Sequence, residues 1–219
     1  MPQVTQDDRQ LAVETPLGKD VLLLTSFSGS EAVSQLFRFH LEMLSTEEDI
    51  ASEECIAPYK IACKNFSFRV KQADGSPRYF NGCVNRLSRG DRESGFRRYH
   101  AEVVPWLWFL TRTADCRIFQ EQSTVEIIEL IFSEFGFTDY ELRLNGTYDP
   151  REYCVQYRET DFNFVSRLME EDGIFYFFKH EDGKHTLVLA DDASKYVDCT
   201  ENSASYFGAF DQQVAGRIT

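Results

Sequence analysis

The sequence predicts a β-rich α+β fold, a barrel-like strand region followed by a mixed helix-and-strand region. Three observations predict it. Phe and Tyr are plentiful, 19 and 10 among 219 residues, and aromatic and β-branched side chains suit half-buried strands. The first half alternates apolar and polar residues in short runs, the period of a strand with one buried face. The second half changes to apolar residues at helical spacing, with cap signatures at their starts.

Taken in chain order, Val21 to Leu24 is a short apolar run that reads as a buried strand, and Ser28 to Ser30 reads as a turn. From Leu36 to Leu44, Phe37, Phe39, Leu41 and Met43 fall on one face and Arg38, His40 and Glu42 on the other. Phe66, Phe68 and Val70 alternate with Ser67, Arg69 and Lys71, Asp74-Gly75 supplies a turn, and a return run leads from Pro77 to Leu87. Arg89 to Gly95 is polar and reads as a loop. Tyr99, Ala101 and Val103 then alternate with Arg98, His100 and Glu102, and Pro105 ends the region. Trp106 to Leu110 is too apolar for an exposed linker and reads as a core plug between two subdomains. Ser123 with Glu126 is a capping-box pattern. It precedes Val125, Ile128, Ile131, Phe132 and Phe135 at helical spacing, and Gly136 can close that helix. Tyr153, Val155 and Tyr157 alternate against Glu152, Cys154 and Gln156 in a strand. Asp161 reads as the cap of a second helix with Phe162, Val165, Leu168 and Met169 inward, and its acidic end at Glu170-Glu171-Asp172 opposes the helix dipole. Ile174 to Lys179 and His185 to Ala190 form a hairpin across Asp182-Gly183. Its first strand is apolar on both faces and needs cover on both. The expected organisation is residues 1–110, residues 111–191 and a tail, 192–219, without a clear period.

Charge narrows the partners. With 23 basic and 36 acidic residues the net charge is −13, which repels nucleic acid phosphates and anionic membrane surfaces. No nucleic acid partner and no stable membrane insertion are expected. MPQVTQDDRQ lacks the positive segment and apolar run of a signal peptide, and no stretch nears the roughly 20 apolar residues of a membrane span. Synthesis in the cytoplasm is expected. The six cysteines, at 55, 63, 83, 116, 154 and 199, show no C-x-x-C pair. Their even number allows disulfides, while cytoplasmic synthesis favours reduced thiols.

A search for chemistry finds no reaction centre. His180 and His185 flank a hairpin turn with Glu181 and Asp182, and solvent-exposed hairpin-end residues outweigh a metal ligand set. His40 and His100 read as surface histidines without a third ligand. No G-x-S-x-G elbow and no phosphate-binding G-x-x-x-x-G-K-[ST] occurs. Asp7-Asp8 and Glu47-Glu48 lie in polar stretches and read as solvated. No enzyme, cofactor or metal is expected. The feature that stands out is basic: Arg86, Arg89, Arg92, Arg97 and Arg98 on an acidic chain. They form a possible partner-docking loop for an acidic surface, set against a solvated loop tip balanced by Asp91 and Glu93.

Several long blocks resemble one family. Leu24 to Glu31 (LTSFSGSE) with Leu36 to Phe39, Val103 to Gln120 (VVPWLWFLTRTADCRIFQ), Arg151 to Phe178 and His180 to Asp191 resemble, in order, the head of VgrG spike proteins. That resemblance implies a phage-hub-like head, with a β-barrel tube domain at 1–110 and an α+β domain at 111–191. It implies a structural part of a type VI secretion system that forms a homotrimer, docks on the Hcp tube protein, and delivers effector or adaptor proteins through target membranes. Export would use the type VI machine, without a signal peptide. The resemblance also implies a chain truncated before a second tube domain and needle. A phage tail baseplate hub is the alternative, and a hydrolase with an unfamiliar site is a weaker third.

Overall fold

The computed structural model describes residues 5–45, 64–93 and 95–196. Eleven strands, two α-helices and two short 3-10 segments are assigned there. Six strands make one sheet: β1 (Leu11–Glu14), β2 (Leu23–Ser30), β3 (Arg38–Ser45), β4 (Asn65–Lys71), β5 (Pro77–Glu93) and β6 (Phe96–Val104), in the spatial order β1-β4-β5-β6-β3-β2, with every neighbouring pair antiparallel. The sheet curls into a half-barrel whose inner face carries the alternating apolar residues. Phe37, Phe39, Leu41, Met43, Phe66, Phe68, Tyr99, Ala101 and Val103 are all buried. Phe68 and Phe80 stack with centroids 5.1 Å apart, and Phe39 meets both edge-on.

The two end strands of this sheet are joined by a side chain. Gln6 is buried, and its amide bridges β1 and β2. Its Oε1 accepts from the N–H of Val13 (3.0 Å) and of Leu24 (2.9 Å), and its Nε2 donates to the carbonyls of Val13 (3.3 Å) and Leu22 (3.0 Å). One side-chain amide thus does the work of a peptide unit at the seam.

After Pro105 the segment Trp106–Arg112 forms a 3-10 helix that buries Trp106, Leu107 and Leu110, as a plug should. It is followed by β7 (Ala114–Phe119), α1 (Thr124–Glu134), β8 (Tyr140–Arg143), β9 (Cys154–Thr160), α2 (Asp161–Glu171), β10 (Phe175–Glu181) and β11 (Lys184–Ala190); α2 and β9 pack on the 3-10 segment, and β10 and β11 on β5. β7 and β9 form an antiparallel ribbon, while β10, β11 and β8 form a three-stranded sheet in which β8 runs parallel to β11. The capping box at α1 is present: Ser123 Oγ accepts from the Glu126 N–H, and the Glu126 carboxylate accepts from the Ser123 N–H at 2.7 Å. Phe175 and Phe177, the second apolar face of β10, pack on Tyr196.

Several expectations are corrected. Ser28 to Ser30 continue β2 as strand rather than turning, because Gly29 lies opposite Phe39 and leaves room for its ring; a Cβ there would stand 2.3 Å from a ring carbon. The sequence pattern does not predict β1, β7 and β8, which the structure adds. The cap of α2 is Thr160, whose hydroxyl accepts from the Asn163 N–H at 3.1 Å. Asp161 lies inside the helix and is buried, and Phe164 replaces Phe162 on its buried face. The acidic end of α2 has cationic partners: Arg151 reaches Glu171 (2.6 Å) and Asp172 (3.2 Å), and Arg167 reaches Glu171 (3.1 Å). Cys83 and Cys154 are buried and Cys116 is exposed; Cys116 and Cys154 are free thiols, and the Cys83 thiol donates to Asn65 Oδ1 at 3.2 Å. Cys55, Cys63, Cys199 and Glu47-Glu48 lie outside the described residues, as does the tail from 197 onward.

Candidate functional site

The arginines expected in a loop stand on a strand ribbon. β5 is 17 residues long and pairs with β4 only as far as Cys83, while β6 accompanies it to Glu93. The polar segment from Arg89 to Glu93 is therefore the end of a hairpin, closed at Gly95, whose φ of +86° suits glycine. The pairing register divides the five cations. Arg89 lies opposite Tyr99 and Arg92 opposite Arg97, so these three arginines share the face that carries Tyr99. Arg86 lies opposite Glu102, and Arg98 is on that same outer face beside Leu44. Register shifts between Val84 and Arg86 and between Arg89 and Arg92 mark bulges, which sharpen local twist. Arg97 donates to the Gly90 carbonyl at 3.4 Å and is half-buried; Arg86, Arg89, Arg92 and Arg98 are exposed. The structure thus brings Arg89, Arg92 and Arg97 together at the tip and leaves Arg86 and Arg98 apart from them.

On the outer face the register makes two polar rows. Ser88, His100, Glu42 and Ser26 follow one another across β5, β6, β3 and β2, and Arg86, Glu102, His40 and Ser28 form the next row. Ser26 donates to Glu42 at 2.9 Å, His100 lies 3.9 Å from Glu42, and Asn85 donates to Glu102 at 2.6 Å. These are cross-strand pairs on a solvated face, arranged with opposite charges adjacent.

His180 and His185 are not hairpin-end surface residues. His185 is 3% exposed. Its Nε2 accepts from the Trp106 N–H at 3.0 Å, and its Nδ1 donates to Asn81 Oδ1 at 2.7 Å. Asn81 in turn donates to Ser67 Oγ at 2.8 Å, which also accepts from the Gly183 N–H at 2.9 Å. One imidazole nitrogen must accept and the other must donate, so the ring is held neutral. Burial, with a smaller contribution from His180, pushes its pKa down to about 3. The hairpin β10–β11 lies against the half-barrel at this point, which is why a turn-flanking histidine is buried. Among the described residues no group of three or more His, Cys, Asp or Glu side chains is placed to hold a metal ion.

The strand alternation at Tyr153, Val155 and Tyr157 is inverted relative to the usual rule. Cys154 and Gln156 are buried, whereas Tyr153, Val155 and Tyr157 face solvent together with Ile118 of β7, Tyr157 at 64% exposure. The inward residue Gln156 belongs to a partly buried ion network. Arg117 reaches Asp161 at 2.6 Å and donates to Gln156 Oε1 at 2.9 Å, and Gln156 donates to Asp161 at 2.8 Å. Gln156 must face inward to complete it, and the aromatic residues are turned out. The aromatic pattern is visible in the sequence; its direction depends on Arg117, 39 residues away.

A family model described as the phage tail baseplate hub (GPD) matches residues 30–214. The type VI secretion system spike protein VgrG1b of Pseudomonas aeruginosa is 43% identical over 188 residues, 86% of this chain and 25% of that protein. VgrG1a of the same organism is 45% identical over 183 residues, 84% of this chain and 28% of the relative. The chain therefore spans about a quarter of the length of these curated relatives. Among solved structures, an E. coli component of the type VI secretion system, described as structurally similar to the T4 bacteriophage tail proteins gp27 and gp5, superposes with a TM-score of 0.72 at 25% identity. The match covers 85% of this chain and 50% of that one.

Proposed function

This chain belongs to the phage tail baseplate hub family and resembles the VgrG spike proteins of type VI secretion, and on that premise we propose that it works as spike head, a structural part rather than an enzyme. The observation that carries this reading is the combination of 43% identity across 86% of the chain with a half-barrel fold like that of a type VI secretion component. In this reading residues 1–110 serve as a tube domain and 111–191 as an α+β domain. The head forms a homotrimer, docks on the Hcp tube protein, and carries effector or adaptor proteins out through the type VI machine. Arg89, Arg92 and Arg97 give the tube domain a cationic tip on a chain of net charge −13, suited to an acidic strip on the tube protein or a neighbouring copy. Among the described residues no helix is long and apolar enough to cross a membrane. Puncture is then work for the assembled spike, not for insertion of a helix of this segment.

Light scattering behind size exclusion, together with an Hcp pull-down, tests the reading. A particle of three times 25.4 kDa, or stable capture of Hcp, is expected. A protein that stays monomeric at high concentration and ignores Hcp sinks it. A phage tail hub is the second reading, favoured by the family model itself. Contractile-sheath and Hcp genes beside this one would select secretion; capsid and terminase genes would select the phage.

A further inference from the structure

The chain contains two Asn-Gly pairs, Asn81-Gly82 and Asn145-Gly146. In such a pair the glycine has no side chain to shield its backbone nitrogen, and that nitrogen can attack Cγ of the asparagine. A bond forms from the nitrogen to Cγ, the Cγ–Nδ2 bond breaks, and ammonia leaves carrying the former backbone proton. Water then opens the five-membered imide to aspartate or isoaspartate. By sequence the two pairs are equivalent; their surroundings are not.

Asn81-Gly82 lies inside β5. Asn81 is buried, its Nδ2 donates to Ser67 Oγ at 2.8 Å, and its Oδ1 accepts from His185 at 2.7 Å. Gly82 pairs with Phe66, and a Cβ on it would stand 2.6 Å from the Val103 side chain. Turning the Asn81 amide onto the Gly82 nitrogen would break both side-chain hydrogen bonds in a place with no room for the imide. Asn145-Gly146 lies between β8 and β9. Both residues are exposed, and the Asn145 side chain has no hydrogen-bond partner among the described residues. Gly146 and Asp191 line an open cleft of about 720 Å³, so water has access. One contact opposes the reaction. Asp191, which follows β11, accepts from the N–H of Gly146 at 2.7 Å and of Asn145 at 2.8 Å, and the Tyr148 hydroxyl donates to the same carboxylate at 2.9 Å. An imide nitrogen carries no hydrogen. Ring closure must therefore give up the Gly146 bond, a charge-assisted one of the stronger kind.

We propose that Asn145 is a site of spontaneous deamidation through an imide with Gly146, and that Asp191 holds its rate down. The reaction puts a new negative charge on the residue whose own N–H contacts the Asp191 carboxylate. The isoaspartate form also lengthens the backbone by one methylene between the two N–H groups that Asp191 holds. Either product loosens the segment after β8 from the end of β11.

The test uses the whole chain, kept folded in mildly alkaline buffer and, in parallel, unfolded in guanidinium chloride. Aspartate and isoaspartate at positions 81 and 145 are counted over time by peptide mass spectrometry. In denaturant the two asparagines should react at similar rates. In the folded chain position 145 should react about tenfold or more slowly than in denaturant, while position 81 stays intact. Asp191→Ala should raise the folded rate at 145 by about the same factor. Tyr148→Phe, which removes a different donor to the same carboxylate, should leave it as in the wild type. An intact position 81 shows in the same sample that each variant is folded. Should Asp191→Ala unfold, the wild type alone decides, since equal rates at 145 with and without denaturant overturn the role of Asp191. Folded conversion at 81 as fast as at 145, or the same rate at 145 in wild type and folded Asp191→Ala, overturns the proposal. So does no conversion at 145 in either folded protein while the unfolded chain reacts.

Discussion

A glutamine side chain is a peptide group on a short tether, and Gln6 is used as one. It satisfies two N–H groups and two carbonyls on strands that do not pair directly with each other. Gln6→Ala leaves all four buried groups without that partner and should cost about 2–4 kcal/mol in urea unfolding. Gln6→Glu should fail too, since a carboxylate cannot donate to Val13 and Leu22; a variant within 0.5 kcal/mol of wild type, roughly the noise of a surface change, would show that water replaces the amide. His185 gives a second test at this scale. Its pKa falls from an ordinary 6.5 to about 3 in the folded chain. Above pH 6.5 the ring is neutral in both states and its contribution is complete. As pH drops from 6.5 towards 3 the unfolded chain takes up a proton that the folded chain refuses, and stability declines by about 1.4 kcal/mol per pH unit from this residue. The imidazole shifts of folded His185 should therefore stay those of the neutral Nδ1–H tautomer at pH 5. Titration near 6.5 in the folded protein would contradict the buried network.

At the scale of elements, the β7–β9 ribbon shows packing overriding pattern. Tyr157→Ser on its exposed face should change stability by no more than about 0.5 kcal/mol. Gln156→Leu, which looks like an improvement by hydropathy, should cost more than about 2 kcal/mol, because it strips hydrogen bonds from Arg117 and buried Asp161. Equal effects in thermal melts would mean the ribbon faces the other way. The hairpin tip is tested by reversing Arg89, Arg92 and Arg97 to Glu: weaker capture of Hcp, with an unchanged melting temperature, is expected if the tip docks, and unchanged capture leaves it a solvated end. The contrast between these elements explains what was legible. β3, β6 and the existence of both helices are written in neighbouring residues, so local periodicity finds them, while the buried faces shift by a residue or two: Ile127 joins Ile128, Ile131 and Phe132 in α1, and Phe164 replaces Phe162 in α2. The capping box at Ser123 and Glu126 is equally local. β1 has four residues and β8 four, too few for a period, and β8 takes its place from β11. The two histidines look like surface residues because their partners Asn81 and Trp106 lie far along the chain. Of the candidate site, residue type was readable. The division of five arginines between two faces was not, since two bulges set it.

At the scale of the molecule, one hydrophobic cluster runs from Val13 in β1 to Leu189 in β11 and includes the 3-10 plug and both helices. A core without a break favours a single cooperative transition. Tryptophan emission, reporting Trp106 and Trp108 in the plug, should follow the same denaturant curve as the amide signals of β3 and β6. Separate midpoints would instead reveal two independently stable parts. The hydrogen bond between Asn81 and His185 spans 104 residues and that between Trp106 and His185 spans 79, and both partners of His185 are made long before it. On the ribosome, then, the nascent half-barrel emerges with Asn81 and the Trp106 amide still waiting for this partner, and no part of the emerging chain supplies it until the β10–β11 turn has cleared the exit tunnel. A transcript broken anywhere between these points would yield a chain with much of its aromatic interior made and its final clasp missing, which is the kind of product that chaperones hold and proteases clear.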